Sequence, residues 1–123
     1  MFDFEKLEVF DFEKLEVYSR LEKLSQEILR FIFSTRTLDP YLKDQLKRSV
    51  IGVQLNLAEG TGRVTTADKK HFYAMARSSL FESVAMIQIY KNLDIITPSH
   101  FENWYEQMEI ISRMLLKLSQ NVN

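Results

Sequence analysis

A chain of 123 residues with 46% hydrophobic and 27% charged residues, no cysteine and a formal net charge of −1 has the size and make-up of one folded domain. Its composition excludes disulfides and thiolate metal sites, fits the reducing cytoplasm, and argues against a strongly basic nucleic-acid binder. No apolar run approaches the roughly 18 residues of a membrane span, and the start of the chain lacks the layout of a secretion signal.

Phe2 to Val9 reads Phe-Asp-Phe-Glu-Lys-Leu-Glu-Val, and Phe10 to Val17 repeats it letter for letter. Eight residues of helix rotate by about 80°, so the two copies could not present one face. The repeat is also shorter than a solenoid unit. We therefore assign residues 1–9 to a duplicated N-terminal extension and residues 10–123 to the folded domain.

Three glycines and two prolines leave long unbroken segments, which predicts an all-α chain. Helix 1 is expected from about Glu13 to Ser34, with Val17, Leu21, Leu24, Ile28, Phe31 and Ile32 on one stripe. Asp39-Pro40 is an N-cap followed by proline at the first helical position, opening helix 2 from Pro40 to about Glu59. Leu42, Leu46, Val50, Val53 and Leu57 form its first apolar side. Ile51, Leu55 and Ala58 form a second, with Gly52, Asn56 and Glu59 on a polar strip between. Gly60 is read as the C-terminal cap and Gly62 as a second permissive turn position.

Thr65 with Asp68 resembles a capping box opening helix 3, from about Thr66 to Leu93. Its inner face is read as Phe72, Met75, Ala76, Ser79, Ser83, Met86, Ile87 and Tyr90. Ala74, Phe81, Ala85 and Ile89 lie opposite. Thr97-Pro98 starts helix 4, whose stripe is Phe101, Trp104, Tyr105, Met108, Ile111, Leu115 and Leu118. Short connections between such helices predict an antiparallel up-down-up-down four-helix bundle. Two helices with apolar residues on both sides predict assembly into a homo-oligomer.

Chemistry-bearing patterns are sparse. His71 and His100 lack the carboxylate or histidine spacing of a metal-binding helix, and neither Glu-x-x-His nor Gly-x-Ser-x-Gly occurs. No catalytic residue, metal or cofactor is assigned, and the chain is read as a non-enzyme. Gly60-Thr61-Gly62-Arg63 superficially suggests a phosphate loop, but it lacks the Gly-Lys-Ser/Thr ending and the preceding strand. It is read as a helix stop and restart. Asn56 and Glu59, lying between two apolar faces, are read with Gly60 and Gly62 as a structural motif: buried polar groups bonded to the neighbouring turn or to Arg63.

Asn56-Leu57-Ala58-Glu59-Gly60-Thr61-Gly62-Arg63 resembles the Asn-Ile-Ala-Glu-Gly-x-Gly-Arg signature of the four-helix-bundle proteins encoded in intervening sequences of bacterial large-subunit ribosomal RNA genes. Phe12-Glu13-Lys14-Leu15-Glu16-Val17-Tyr18 resembles that family's opening, and Gln45–Arg48 and Ala76–Glu82 match two further segments. Gly52 and Gln54 stand where many of its members carry serine and proline. Ser78 replaces a usual glycine, and Lys69 a usual aromatic residue. The family is similar in fold to accessory proteins of diversity-generating retroelements, pentameric barrels that associate with a reverse transcriptase and RNA. The resemblance implies a homopentameric ring with an RNA-linked role, its partners structured RNA or a reverse-transcriptase-like protein.

The leading functional expectation is thus a non-enzymatic scaffold binding RNA or a protein partner. A purely structural assembly and an enzyme with an inter-subunit site are the rivals. Residues 41–91 carry eight Lys/Arg against four Asp/Glu. From them Lys43, Lys47, Arg48, Arg63, Lys69, Lys70 and Arg77 are taken as the nucleic-acid-binding set, with charge repeated around a ring. The competing expectation is that Arg48 and Arg63 are tied up with carboxylates such as Glu59. Ile51, Leu55, Ala58, Phe81 and Ile89 are taken as the oligomer interface.

Overall fold

The computed structural model describes residues 10–122, so the first copy of the octapeptide lies outside the described residues. A 3-10 turn (Asp11–Lys14) leads into α1 (Glu16–Ser34), α2 (Pro40–Thr61), α3 (Thr66–Asn92) and α4 (Pro98–Gln120). Among the described residues there is no strand, and no helix is long and apolar enough to cross a membrane.

The helix starts are built by the side chains their sequence provides. The Asp39 carboxylate accepts the backbone N–H groups of Tyr41 and Leu42 at 3.0 and 3.1 Å, with Pro40 filling the first helical position. Thr65 and Thr97 hydroxyls accept the N–H groups of Asp68 and His100, both at 3.1 Å. Helix α1 begins three residues later than expected. Glu13 folds back to accept the Phe10 N–H at 3.0 Å, and Leu15 is extended, so Phe12 swings onto Tyr18 with ring centroids 4.8 Å apart.

Each helix packs against two neighbours, α1 on α2, α2 on α3, α3 on α4 and α4 on α1, with no backbone approach across the diagonals among the described residues. That is a four-helix bundle. Its core holds Leu21, Leu24, Ile28 and Ile32 of α1, Leu46, Val50, Val53 and Leu57 of α2, Leu80 and Ile87 of α3, and Trp104, Met108, Ile111 and Leu115 of α4. On α3 the expected inner face is rotated slightly. Tyr73 and Leu80 are buried where Met75 is exposed and Phe72 half-buried, because the helix leans its apolar side toward α4 as well as α2.

Cross-helix bonds set the register of α2 and α3. Tyr90 donates its hydroxyl to the Leu42 carbonyl at 2.8 Å, and the Ser83 hydroxyl donates to Ser49 Oγ at 2.9 Å. Further along, Gly52 faces Ser79 and Gly60 faces Tyr73. Partner numbers fall along α3 as they rise along α2. Two polar links tie the other helices: Gln54 donates to the Tyr18 hydroxyl at 2.9 Å, and the Trp104 indole N–H donates to Glu27 at 3.2 Å.

Gly60 is not the terminal cap. Helix α2 runs through it to Thr61, and Gly62 follows with φ −86°, in the right-handed region. The reason for glycine at 60 is steric: a Cβ there would lie 2.6 Å from Cε1 and 2.8 Å from Cδ1 of the buried Tyr73 ring. A Cβ on Gly52 would meet only the Ser79 side chain, its hydroxyl oxygen nearest at 3.1 Å. The left-handed position lies instead in the α3–α4 connection, at Asp94 (φ 58°), where Ile95 N–H reaches back to the Tyr90 carbonyl at 2.9 Å.

The two helical glycines should therefore respond oppositely to alanine. Gly60→Ala should lower the unfolding free energy by about 1–3 kcal/mol through overpacking, more than the helix-propensity gain of up to about 1 kcal/mol. Gly52→Ala should leave stability unchanged or raise it by about 0.5–1 kcal/mol, since a serine hydroxyl can rotate away. Urea denaturation of both variants measures the contrast.

Candidate functional site

The Asn56–Arg63 motif folds into the end of α2 and the turn that follows. Asn56 is half-buried, and its amide donates to the Gly52 carbonyl at 2.9 Å, bonding within its own helix and not to the turn. Glu59 is not buried: its side chain is about half exposed and pairs with Arg63 four residues on. Its position on the helix points past the seam, so solvent and a guanidinium satisfy it together.

Arg63 also lies over the Phe72 ring, 4.4 Å from its centroid. The Thr61 hydroxyl donates to the Ala58 carbonyl at 2.7 Å, while the Lys69 ammonium donates to the Thr61 carbonyl at 2.9 Å. A cation thereby neutralises the carbonyl end of α2 where the helix dipole is negative. The turn that superficially suggests a phosphate loop is thus closed on itself by its own side chains.

The remaining cations of the expected nucleic-acid set lie along α2 and the first half of α3. Lys47 and Arg48 share Asp44 at 3.6 and 3.8 Å. Lys43 sits 5.9 Å from the Phe33 ring centroid, and Arg77 4.8 Å from that of Phe81. Lys70 is exposed. Lys43 and Lys47 stand in the first turns of α2, Arg63 and Lys69 about 30 Å away at its far end, so the structure does not gather the seven into one patch. The surface pairs are weak, about 0.3–0.5 kcal/mol each, and a phosphate could replace the carboxylate.

The apolar set divides as well. Leu55 is 63% exposed on the outer side of α2, with Ile51 and Ala58 half-buried beside it. Ile89 is 40% exposed near the carboxyl end of α3. Phe81, 55% exposed, lies instead on the α3–α4 side as a ridge between two grooves. One groove, of about 320 Å³, is lined by Tyr73, Arg77, Ser78, Leu115, Leu116 and Ser119 among others. The second, of about 290 Å³, includes Val84, Tyr105, Met108 and Arg113. In the first, Arg77 Nε is buried with no hydrogen-bond partner among the described residues. The sequence carries a signal for this groove, since Arg77 and Phe81 stand four apart on one face of the helix, but sorting residues into a charged set and an apolar set separates the two.

His100 packs on Trp104 (centroids 4.1 Å) and edge-on to Phe31, with Nε2 3.8 Å from Glu27. It belongs to the α1–α4 contact. His71 stands beside Phe72 on the exposed side of α3.

The model of the 23S rRNA-intervening sequence protein family matches residues 13–117. The chain belongs to that family. The octapeptide copy at 10–17, the Asn56–Arg63 motif and the Ala76–Glu82 segment overlap or lie within the matched span. No curated protein matches the chain. A crystal structure of a protein of unknown function from the S23 ribosomal protein family of Bacteroides thetaiotaomicron is similar, with a TM-score of 0.77 at 15% identity over 85% of this chain and 99% of that one. At that identity the likeness is one of fold. What this 23S rRNA-intervening sequence protein shares with that structure is architecture.

Tyr90 gives the hairpin of this family member a measurable pH dependence. Burial, and secondarily Asp39, pushes its phenol from 10.0 up to about 12. The unfolded chain releases this proton first, so the contribution to stability is full below about pH 10 and falls as pH rises toward 12. Unfolding free energies at pH 8, 9.5 and 11 should decline more steeply for wild type than for Tyr90→Phe. The variant should start about 1 kcal/mol lower for the missing hydrogen bond.

Proposed function

We propose that this chain is a non-enzymatic, cytoplasmic scaffold, an antiparallel up-down-up-down bundle that assembles into a homo-oligomeric ring, with five subunits as the expected number. The observation that carries the reading is the outer side of α2: Leu55 is 63% exposed between Ile51 and Ala58, on a helix whose opposite side already fills the core. The falling partner numbers along α2 and α3 support antiparallel neighbours. A neighbouring subunit would cover that α2 side, and with it Ile89. Neither side of this contact needs a residue from the core.

The assembled surface would bind structured RNA through Lys70 and Arg48, the latter exchanging its carboxylate for phosphate. Lys47 and Lys43 would add to it from the same end of α2 as Arg48. Binding of this kind is mainly to phosphates and steeply salt-dependent. The second reading, a structural assembly without nucleic acid, is favoured by the cations already engaged within the chain: Arg63 with Glu59, Lys69 with the Thr61 carbonyl, and Arg77 over Phe81.

Light scattering at micromolar concentration should give a mass several times the 14.6 kDa of one chain. Leu55→Glu should reduce it toward 14.6 kDa while helical circular dichroism is kept. A wild-type mass of one chain would sink the assembly reading.

Wild type should bind a structured RNA at low salt. The double variant Arg48→Glu/Lys70→Glu should bind at least tenfold more weakly, its salt slope smaller by about one for every phosphate it no longer neutralises. Equal binding by both proteins, or none at low salt, leaves assembly alone as the function.

A further inference from the structure

The connection between α1 and α2 puts aromatic rings in water beside cations. Phe33, one residue before the end of α1, is 59% exposed, and Tyr41, the second residue of α2, is 69% exposed. Their aliphatic neighbours do the opposite: Ile32 and Leu38 are buried, and Leu29 and Leu42 half-buried against the core. Phe31 is likewise placed, edge-on to Trp104 and His100. Core packing therefore accounts for the large apolar residues of this stretch apart from the two rings.

The charge of the same stretch is one-sided. From Arg30 to Lys43 the chain carries three cations, Arg30, Arg36 and Lys43, against the single carboxylate of Asp39. That carboxylate is committed to the N–H groups of Tyr41 and Leu42. The Phe31 carbonyl at the end of α1 accepts the hydroxyls of Ser34 and Thr35 at 3.1 and 2.8 Å. It does not draw in a cation as the Thr61 carbonyl draws Lys69. Arg30 and Arg36 are exposed and form no ion pair among the described residues. Arg30 stands three residues before Phe33 on the same face of α1. Lys43 flanks that ring from α2, 5.9 Å from its centroid, without sealing it. The buried Leu38, its N–H on the Thr35 carbonyl at 3.3 Å, anchors the loop from which Arg36 projects.

We propose that this end of the bundle binds unpaired RNA, with one base stacked on Phe33, another on Tyr41, and phosphates on Arg30, Arg36 and Lys43. Exposed rings set among cations suit a single strand, since every base has a stacking face and every link a negative charge. A duplex keeps its bases stacked on each other and offers the rings nothing. A membrane face would need exposed aliphatic surface, which this stretch turns inward. The inference rests on the RNA reading above for its class of ligand. It places the strand on other residues, Lys43 aside, and needs no second subunit.

The test uses the full chain and an end-labelled oligouridylate of about 12 nucleotides, a length typical of stacking sites. At low salt wild type should bind it at least tenfold more tightly than an abasic strand of the same length. Phe33→Leu/Tyr41→Leu stays apolar but has no ring to stack on, and should lose at least tenfold. Phe33→Trp/Tyr41→Trp should recover the loss, which separates stacking from damage to the fold. Arg30→Gln/Arg36→Gln should lower the salt slope by about 1.4. At physiological salt Arg48→Glu/Lys70→Glu should weaken this binding by no more than about threefold, because both residues lie outside the patch. Oligouridylate bound equally by wild type and Phe33→Leu/Tyr41→Leu, or no better than the abasic strand, would overturn the site. So would binding to phosphatidylserine vesicles with none to the oligouridylate. A structured RNA that fails to bind, beside an oligouridylate that binds as stated, would sink only the surface of Arg48 and Lys70.

Discussion

The bundle depends on how closely α2 and α3 can approach. Gly52 against Ser79, the Ser49–Ser83 hydroxyl pair and Gly60 against Tyr73 are successive points on one seam. At each a small residue lets the other helix in. Small contact residues bring helix axes toward the short end of the usual 8–10 Å separation. Hydroxyls at such a contact must bond to something, and these bond to each other and to the carbonyls of Leu46 and Ser79 at 3.1 and 2.9 Å. The seam in turn places Arg63 and Lys69 over the turn and leaves Leu55 outside. Both the turn and the outer side of α2 take their positions from it.

Most of the architecture can be read in the sequence because helix boundaries are chemical. Asp39-Pro40, Thr65 and Thr97 are caps in the structure as in the pattern, and the four core stripes at helical spacing are largely the buried ones. The failures are those of tertiary geometry. Gly60 has the composition of a C-terminal cap, but the Tyr73 ring decides its role, and nothing local to the motif announces that ring. Glu59 falls in a buried strip on a helical wheel, which has no knowledge of how far the neighbouring helix reaches. Tyr73 and Leu80 lie on the border between two stripes, and the packing of α3 on α4 as well as α2 buries them. The same contact puts Phe81 beside α4, where the wheel alone groups it with the second face of α2.

Charge placement is the least legible part. A count of lysines and arginines sees eight cations between residues 41 and 91, but their meaning depends on what each has within reach. A single lysine can neutralise a helix terminus, share a carboxylate or lie on a ring, and the three leave different amounts of field for a ligand. In this molecule the turn between α2 and α3 consumes its cations, whereas the start of α2 holds its own only through weak surface pairs. The polarity of the bundle as an electrostatic object is therefore set by side-chain geometry and not by composition.

The links joining α1 to α4 have a kinetic consequence. Ser49 and Ser83 are 34 residues apart and Tyr18 and Gln54 are 36, but Glu27 and Trp104 are 77 apart. Closing the longer loop adds only about 0.7 kcal/mol of entropy, yet it is the link that needs the first and last helices brought together. Helices α2 and α3 can pair from a short turn stapled by Lys69 and Arg63, and α1 and α4 then zip onto a surface that exists. Contacts this close in sequence favour a local nucleus at the centre of the chain. The α1–α4 seam, closed by the Trp104–Glu27 bond and the His100 ring, is correspondingly the contact with the longest loop to close among these links.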